Sequence, residues 1–364
     1  METRTPRALP VLLLASRIAF SVTPPDDPAI LNNLGSRLYA EGNFREAETP
    51  LARAVELWST AVDAEHSPPE LEVALHNLAA VYRSEGRYAE ARPLYQRAIR
   101  LRETRNGVSD LGLLLPLNGL ALLYLDMGDP RQSKSAADRA ISIAELHRAD
   151  KTPDAASDFS ALGSVLAAQS RYSEAKLWIG RALSLRNRLF GPDSVESADA
   201  WMDLALVRRR ERRNDDAARA YRQALQVYRQ AEEAGLAANA LSGLASLLSV
   251  QHRYGEAGAL LEDALAMLEK TASPALPEAG QLKAELGDIR SAQKRTAEAV
   301  KLYREALGIL EPALGAESPR LLPVLESYAK ALRAQQDYAG AASLDFRAMK
   351  IRVRQTLGRS SASS

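Results

Sequence analysis

Leu75-His76-Asn77-Leu78-Ala79-Ala80-Val81-Tyr82, followed by Gly86-Arg87-Tyr88-Ala89-Glu90-Ala91 and Leu94-Tyr95-Gln96-Arg97-Ala98-Ile99, is the stretch that decides the fold. Leu75, Leu78, Ala79 and Tyr82 fall at i, i+3, i+4 and i+7, one face of a helix. Ala91, Tyr95, Ala98 and Ile99 fall at i, i+4, i+7 and i+8, a face of a second helix. Between them Gly86-Arg87-Tyr88 makes a short turn, with Gly86 suited to a left-handed helix end. No strand-like alternation competes along the chain, so the spacing predicts an all-α protein.

The same frame recurs outward in both directions. The small residue after the central leucine falls at Gly35, Ala79, Ala121, Gly163, Ala205, Ala245, Gly287 and Ala329, at intervals of 44, 42, 42, 42, 40, 42 and 42 residues. A second small position recurs as Ala47, Ala91, Ser133, Ala175, Ala217, Ala257, Ala299 and Ala341. A third is alanine in all eight copies, from Ala54 and Ala98 to Ala348, and an aliphatic residue follows it each time. Small side chains let helix backbones approach closely, and an isolated pair cannot bury both its stripes. Stacking eight pairs buries them, which predicts a right-handed α–α superhelical solenoid of helix–turn–helix repeats with an extended concave face. The repeats read as about 28–71, 72–113, 114–155, 156–197, 198–237, 238–279, 280–321 and 322–357. Gly42 and Gly128 fill the turn slot of Gly86, but later copies carry Ser170, Arg212, His252, Lys294 and Gln336, which fit that slot less well or imply a different turn. Tyr82, Tyr95 and Trp178 read as core aromatics.

The ends of the chain differ from the array. Arg4 and Arg7 precede the apolar run Ala8–Ala15, and Ala19-Phe20-Ser21 offers a small-x-small cleavage site. Glu2, Pro10 and Arg17 speak against a signal peptide. Residues 1–27 are therefore either a leader without fixed structure or, over 1–21, a signal peptide. The second reading makes the protein exported, to a periplasm or outside the cell, and the first leaves it cytoplasmic. Residues 358–364 read as a disordered tail.

Composition narrows the function classes. The 364 residues carry a net charge of +1, which gives no global field for a polyanion, so no nucleic-acid partner is expected. There is no cysteine, which removes disulfides, cysteine zinc sites and thiol catalysis, and the four histidines are scattered, so no metal or cofactor site is expected. No apolar run approaches the roughly 18 residues needed for a membrane span. No phosphate loop or nucleophile elbow is present. Glu46, Glu90, Glu174, Glu256 and Glu298 recur in the first turn of the second helices, where negative charge is favoured. A catalytic carboxylate would not be copied in every repeat, so no catalytic residue and no enzyme activity is expected.

The order Leu-Gly/Ala-x-x-Tyr, Gly-x-Tyr, Ala, Tyr, Ala resembles the tetratricopeptide repeat, over roughly residues 28–357. The 42-residue period, Glu90-Ala91-Arg92-Pro93-Leu94-Tyr95 and Leu189-Phe190-Gly191-Pro192-Asp193 resemble the longer repeats of kinesin light chains and their bacterial relatives. The coiled coil of a kinesin light chain is missing, so motor transport is not implied. What the resemblance implies is a scaffold binding an extended peptide or protein segment in a concave groove lined by the first helix of each pair. Positions flanking the core stripe of those helices give candidate groove residues Asn32, Tyr39, His76, Arg83, Asn118, Arg209, Lys330 and Arg333. The alternative is a structural solenoid that self-assembles, or binds through its convex surface, and does not use the groove.

Three local features stand apart. Arg208, Arg209, Arg210, Arg212 and Arg213 make one dense basic cluster, read as helix C-terminal decoration or as an anion site. Arg208 and Arg290 occupy a slot that is Leu38, Tyr82, Tyr124, Leu166 or Leu248 elsewhere, which puts packing there in question. Asp345, with Arg347, Lys350, Arg352 and Arg354, suggests a polar outer face on a capping repeat.

Overall fold

The computed structural model describes residues 27–40, 42–60, 68–147, 152–270 and 277–363, with side chains described through residue 354. The described helices form eight pairs: α1 (Pro28–Ala40) with α2 (Phe44–Ser59), α3 (Pro69–Ser84) with α4 (Tyr88–Asn106), α5 (Leu114–Asp126) with α6 (Pro130–Leu146), and α7 (Pro153–Ala168) with α8 (Tyr172–Phe190). The remaining four are α9 (Val195–Arg210) with α10 (Asn214–Gln230), α11 (Ala234–Val250) with α12 (Tyr254–Glu269), α13 (Pro277–Ala292) with α14 (Thr296–Leu314), and α15 (Leu322–Ala334) with α16 (Tyr338–Ser363). Residues 1–26, and with them the leader, lie outside the described residues.

One turn serves all eight pairs. Gly42, Gly86 and Gly128 have φ of 79°, 78° and 79°, and Ser170, Arg212, His252, Lys294 and Gln336 take the same left-handed conformation at 60–66°. In each case this residue's N–H bonds three residues back and the next N–H bonds five back, as in Gly86→Arg83 (3.0 Å) with Arg87→Tyr82 (2.8 Å) and Lys294→Ser291 (3.0 Å) with Arg295→Arg290 (2.9 Å). The later repeats keep the turn and accept about 1–2 kcal/mol of backbone strain at each non-glycine residue.

The small positions are tight helix crossings. A Cβ on Gly35 would lie 2.4 Å from Leu51 Cγ, one on Gly163 2.4 Å from Ile179 Cγ1, and one on Gly287 2.7 Å from Tyr303 Cε1. Ala47, Ala54, Ala91 and Ala98 are wholly buried at the corresponding contacts. The uneven interval has a local cause. The links after α4, α8 and α14 begin at Gly107, Gly191 and Gly315 (φ 88°, 94° and 84°) and reach caps at Asp110, Ser194 and Ser318. The link from α10 to α11 is only Ala231-Glu232-Glu233, with Glu232 at φ 59°, which yields the 40-residue spacing.

The backbones of neighbouring first helices approach closely, whereas neighbouring second helices stand further apart and are bridged by long side chains such as Arg139 to Glu103 and Arg181 to Glu145, so the first helices line the inside of the curve. After six repeats the curve returns on itself: α14 packs on α2, and α16 packs on α4. One buried cluster accordingly combines Phe44, Leu51 and Val55 with Tyr303, Leu310, Leu314 and Ile351. The concave face expected from stacking is thus present as the inside of a turn whose ends meet. Apolar side chains on the second helices of repeats one and two are buried against repeats seven and eight, and this wraps the inner face into slightly more than one turn whose ends are in contact.

The irregular slots resolve. Arg290 is buried at 9% exposure, its guanidinium paired with Glu262 and Glu298 and donating to Gln293 (3.0 Å). Gly258 makes the space, since a Cβ there would lie 3.0 Å from Arg290 Nη1. Arg208 is half-buried and pairs with Glu211 at 3.4 Å. The recurring glutamates have a partner the sequence reading missed. Arg87, Arg171, Arg253 and Arg295, each just before a second helix, fork onto Glu90, Glu174, Glu256 and Glu298 three residues on. The outer face of α16 is not wholly polar: Tyr338, Phe346, Met349 and Val353 are 67%, 59%, 51% and 51% exposed. Met349 fills the slot of Ile99 and Leu307, which are buried against a following repeat, and among the described residues no ninth repeat covers it. The helix also runs to Ser363, past residue 357; its one glycine there, Gly358, weakens a helix by about 1 kcal/mol without ending it.

Candidate functional site

The inner face is built from the side chains of α1, α3, α5, α7, α9, α11, α13 and α15 that flank the core stripe. Its polar residues pair across the seams between neighbouring first helices from α1 to α13. Asn77 Nδ2 donates to Asn32 Oδ1 (3.0 Å) and Ser36 Oγ (2.9 Å). Ser160 Oγ donates to Asp203 Oδ2 (2.7 Å), Ser242 Oγ to Glu285 Oε2 (2.6 Å), and Arg209 Nη1 to Ser246 Oγ (3.1 Å). Tyr39 OH lies 3.4 Å from Ser84 Oγ, and Arg83 Nε lies 3.7 Å from Asp126 Oδ2. Each rung crosses one helix-to-helix spacing of about 8–10 Å.

The candidate residues therefore divide. Asn32, Tyr39, Arg83 and Arg209 are half-buried members of this ladder. Asn118 is buried at 3% exposure, with Nδ2 donating to the Asp158 carbonyl (3.3 Å) and Oδ1 left without a partner. His76 stands edge-on to Tyr95 at 5.4 Å, against the flank of Gly119, and its Nδ1 is buried without a partner. Burial, then Arg83, holds the His76 pKa down at about 4, so the ring is neutral near pH 7. Asn118 and His76 are thus seam residues and not part of an open wall, because their helix position faces the next first helix. Lys330 is exposed at the far end, and Arg333, also exposed, pairs with Asp345.

Residues one position further along each helix carry the other half of the ladder, and sequence reasoning missed them. Asn77, Asp203 and Glu285 are members of the register that continues through Gly119 and Gly243. The signal was present in the repeat frame: the position directly after the row residue is polar at Asn77, Asp203 and Glu285. Two acids here are raised. Burial moves Asp203 to about 6, against the Ser160 hydrogen bond, and moves Asp158 to about 7 with help from Asp154. The arginine cluster is mostly engaged locally, with Arg208 on Glu211, Arg209 on Ser246 and Arg213 on Asp216 (2.5 Å). Among the described residues no group of three or more acidic or histidine side chains could hold a metal ion, and no helix is long and apolar enough to cross a membrane.

The tetratricopeptide-repeat family model matches residues 70–146, 154–230, 196–270, 236–311 and 278–352, and a second model of the same description matches 29–68. The chain belongs to the tetratricopeptide-repeat family. No curated protein matches it. Among solved structures, the Rap protein complexed with competence and sporulation factor is similar over 92% of this chain and 99% of its own, at 14% identity and a TM-score of 0.51. That likeness concerns the fold. Kinesin-light-chain TPR-like repeats of Podosopora anserina cover 56% of this chain and 98% of their own at 18% identity, with a TM-score of 0.45. BtubC (BKLC) from P. vanneervenii covers 64% and 91% at 22% identity, with a TM-score of 0.46. As a tetratricopeptide-repeat array, the chain is a protein–protein interaction scaffold in class.

Proposed function

We propose that this repeat protein is a non-enzymatic scaffold that holds an extended segment of a partner protein along its inner face. The observation that carries the reading is the ladder of paired polar side chains, with a rung at the Asn32–Asn77, Ser160–Asp203, Ser242–Glu285 and Arg209–Ser246 contacts. Rungs about 8–10 Å apart match about three residues of extended chain, which rises about 3.3 Å per residue. Asparagine, serine and carboxylate side chains can exchange these mutual bonds for the N–H and C=O groups of such a backbone. Arg83 and Arg209 supply fixed cations along the path.

A second reading, association through the outside, is favoured by the exposed apolar strip Tyr338, Phe346, Met349 and Val353 at the open end of the array. Panning a displayed library of extended segments against the full chain distinguishes the two. Under the groove reading, enriched segments lose at least about tenfold in affinity with Arg83→Glu and Arg209→Glu together. They keep affinity with Phe346→Ser and Met349→Ser. The opposite pattern, or no enrichment beside a concentration-dependent dimer, supports the outer reading.

A further inference from the structure

Where the two ends of the superhelix meet they enclose a cavity of about 390 Å³, at the lower end of the roughly 300–1,000 Å³ of ligand-binding cavities. Repeat one supplies an aromatic wall: the Tyr39 and Phe44 rings lie 5.0 Å apart, tilted at 51°. The inner helix α13 supplies two carboxylates, Glu278 and Glu285. Among the described residues Glu285 accepts only from neutral groups, Ser242 Oγ at 2.6 Å and Gln281 Nε2 at 3.2 Å. Glu278 Oε2 is buried and has no hydrogen-bond partner among the described residues. Arg320 is the one cation among the described residues of the lining; it lies over the Phe44 ring, 4.9 Å from its centre, and feels the charge of Glu278 without a direct ion-pair contact to either carboxylate.

Two carboxylates thus face one guanidinium that is engaged with an aromatic ring, and a buried carboxylate oxygen stands without a donor. Such an oxygen is costly to leave unpaired and attracts a cationic donor in particular. The aromatic wall suits the apolar stem and cationic head of a long basic side chain. Because Ser242, Gln281 and Glu285 stand on the inner helices α11 and α13, the cavity is continuous with the inner face. We propose that this cavity receives an arginine or lysine side chain of the bound segment, held by Glu278 and Glu285 against the Tyr39–Phe44 wall. The proposal rests on the inner-face reading and adds to it a required residue type. It also ties occupancy to closure, since the site exists only when repeat one meets repeats six and seven, so a ligand bound there favours the closed form.

The test uses the full chain and two small probes, N-acetyl-arginine amide and N-acetyl-norleucine amide, with binding read from broadening of the probe's NMR lines. The arginine probe is expected to bind the parent at least tenfold more tightly than the norleucine probe. Glu278→Gln lowers its affinity at least fivefold, and Glu285→Gln serves as the second variant if the first does not fold. Glu256→Gln, on the exposed flank of α12, leaves it unchanged. Equal binding of the two probes, or equal binding of the arginine probe by parent and variants, overturns the proposal. The segment panning fails separately: arginine binding without any enriched segment sinks the inner-face reading, whereas an enriched segment indifferent to Glu278→Gln sinks the cavity assignment.

Discussion

The guanidinium of Arg320 lies over the ring of Phe44 at 4.9 Å, across 276 residues of sequence, and this contact joins the end of the seventh repeat to the first. Phe44 is 5% exposed, buried in one cluster with Leu314, Leu321 and Ile351. An array whose units contact only their neighbours would leave this ring in water.

Phe44→Ala therefore removes a contact of the closure as well as of the first repeat. The expected cost is about 3–5 kcal/mol, typical of truncating a buried phenylalanine. The radius of gyration in solution scattering should rise as the two ends separate. A variant that loses stability with no change in scattering would mean that Phe44 serves repeat one alone and that closure does not depend on it.

Much of this architecture was legible because each repeat states it again. Eight alanines in the slot of Ala98 carry a helix crossing that one copy could not establish. Closure was not legible: it depends on a small rotation per repeat that accumulates over six units, and no single position encodes that sum. Of the candidate groove residues, Asn32, Tyr39, Arg83 and Arg209 stand in the polar ladder of the inner face. His76 and Asn118 lie in the seam, and Asn77, one residue on, makes the ladder contact, since a helix turns by about 100° per residue. The Arg290 pairing was missed because its enabling residue, Gly258, is on another helix.

The turn between α13 and α14 stores strain that can be released. Lys294 sits at φ 62°, where a Cβ is crowded and glycine is at ease. Lys294→Gly should stabilise by about 0.5–1 kcal/mol, part of the gain being lost to the freer unfolded chain. Gly86→Lys, the reverse change at φ 78°, should cost about 1–2 kcal/mol. Urea unfolding midpoints check both, and a destabilised Lys294→Gly would show that the side chain compensates the strain.

Arg290 and Gly258 should be coupled. Arg290→Leu restores the residue found in the same slot at Leu166 and Leu248, and it leaves behind only the exposed carboxylates Glu262 and Glu298. It should be neutral or stabilising by about 1 kcal/mol or more. Gly258→Ala gains about 1 kcal/mol of helix propensity in that background. Beside Arg290 the same change gains less, because the new Cβ meets Nη1 at 3.0 Å. A double-mutant cycle that closes within about 0.3 kcal/mol would refute the coupling.

Asp203 makes the inner seam sensitive to pH. Burial raises its pKa to about 6 from the ordinary 3.8, so the folded state prefers the proton. A raised acid costs stability once ionised: the cost is absent below the unfolded value, grows between about pH 4 and 6, and is complete above 6. An asparagine at this position would keep an acceptor for the Ser160 hydroxyl, which donates to Asp203 at 2.7 Å, without the buried charge. Asp203→Asn should therefore stabilise by on the order of 2 kcal/mol at pH 7.5, by about half that at pH 5, and by only about a fifth of it near pH 4. His76 acts in the opposite sense, because the unfolded chain takes up a proton below about 6.5 that the folded ring refuses until about 4. That contribution is common to both proteins and cancels in their difference. Denaturant unfolding of parent and variant at the three pH values measures the difference directly. A gain independent of pH would show that the seam stabilises through packing alone, with the Asp203 carboxylate hydrated.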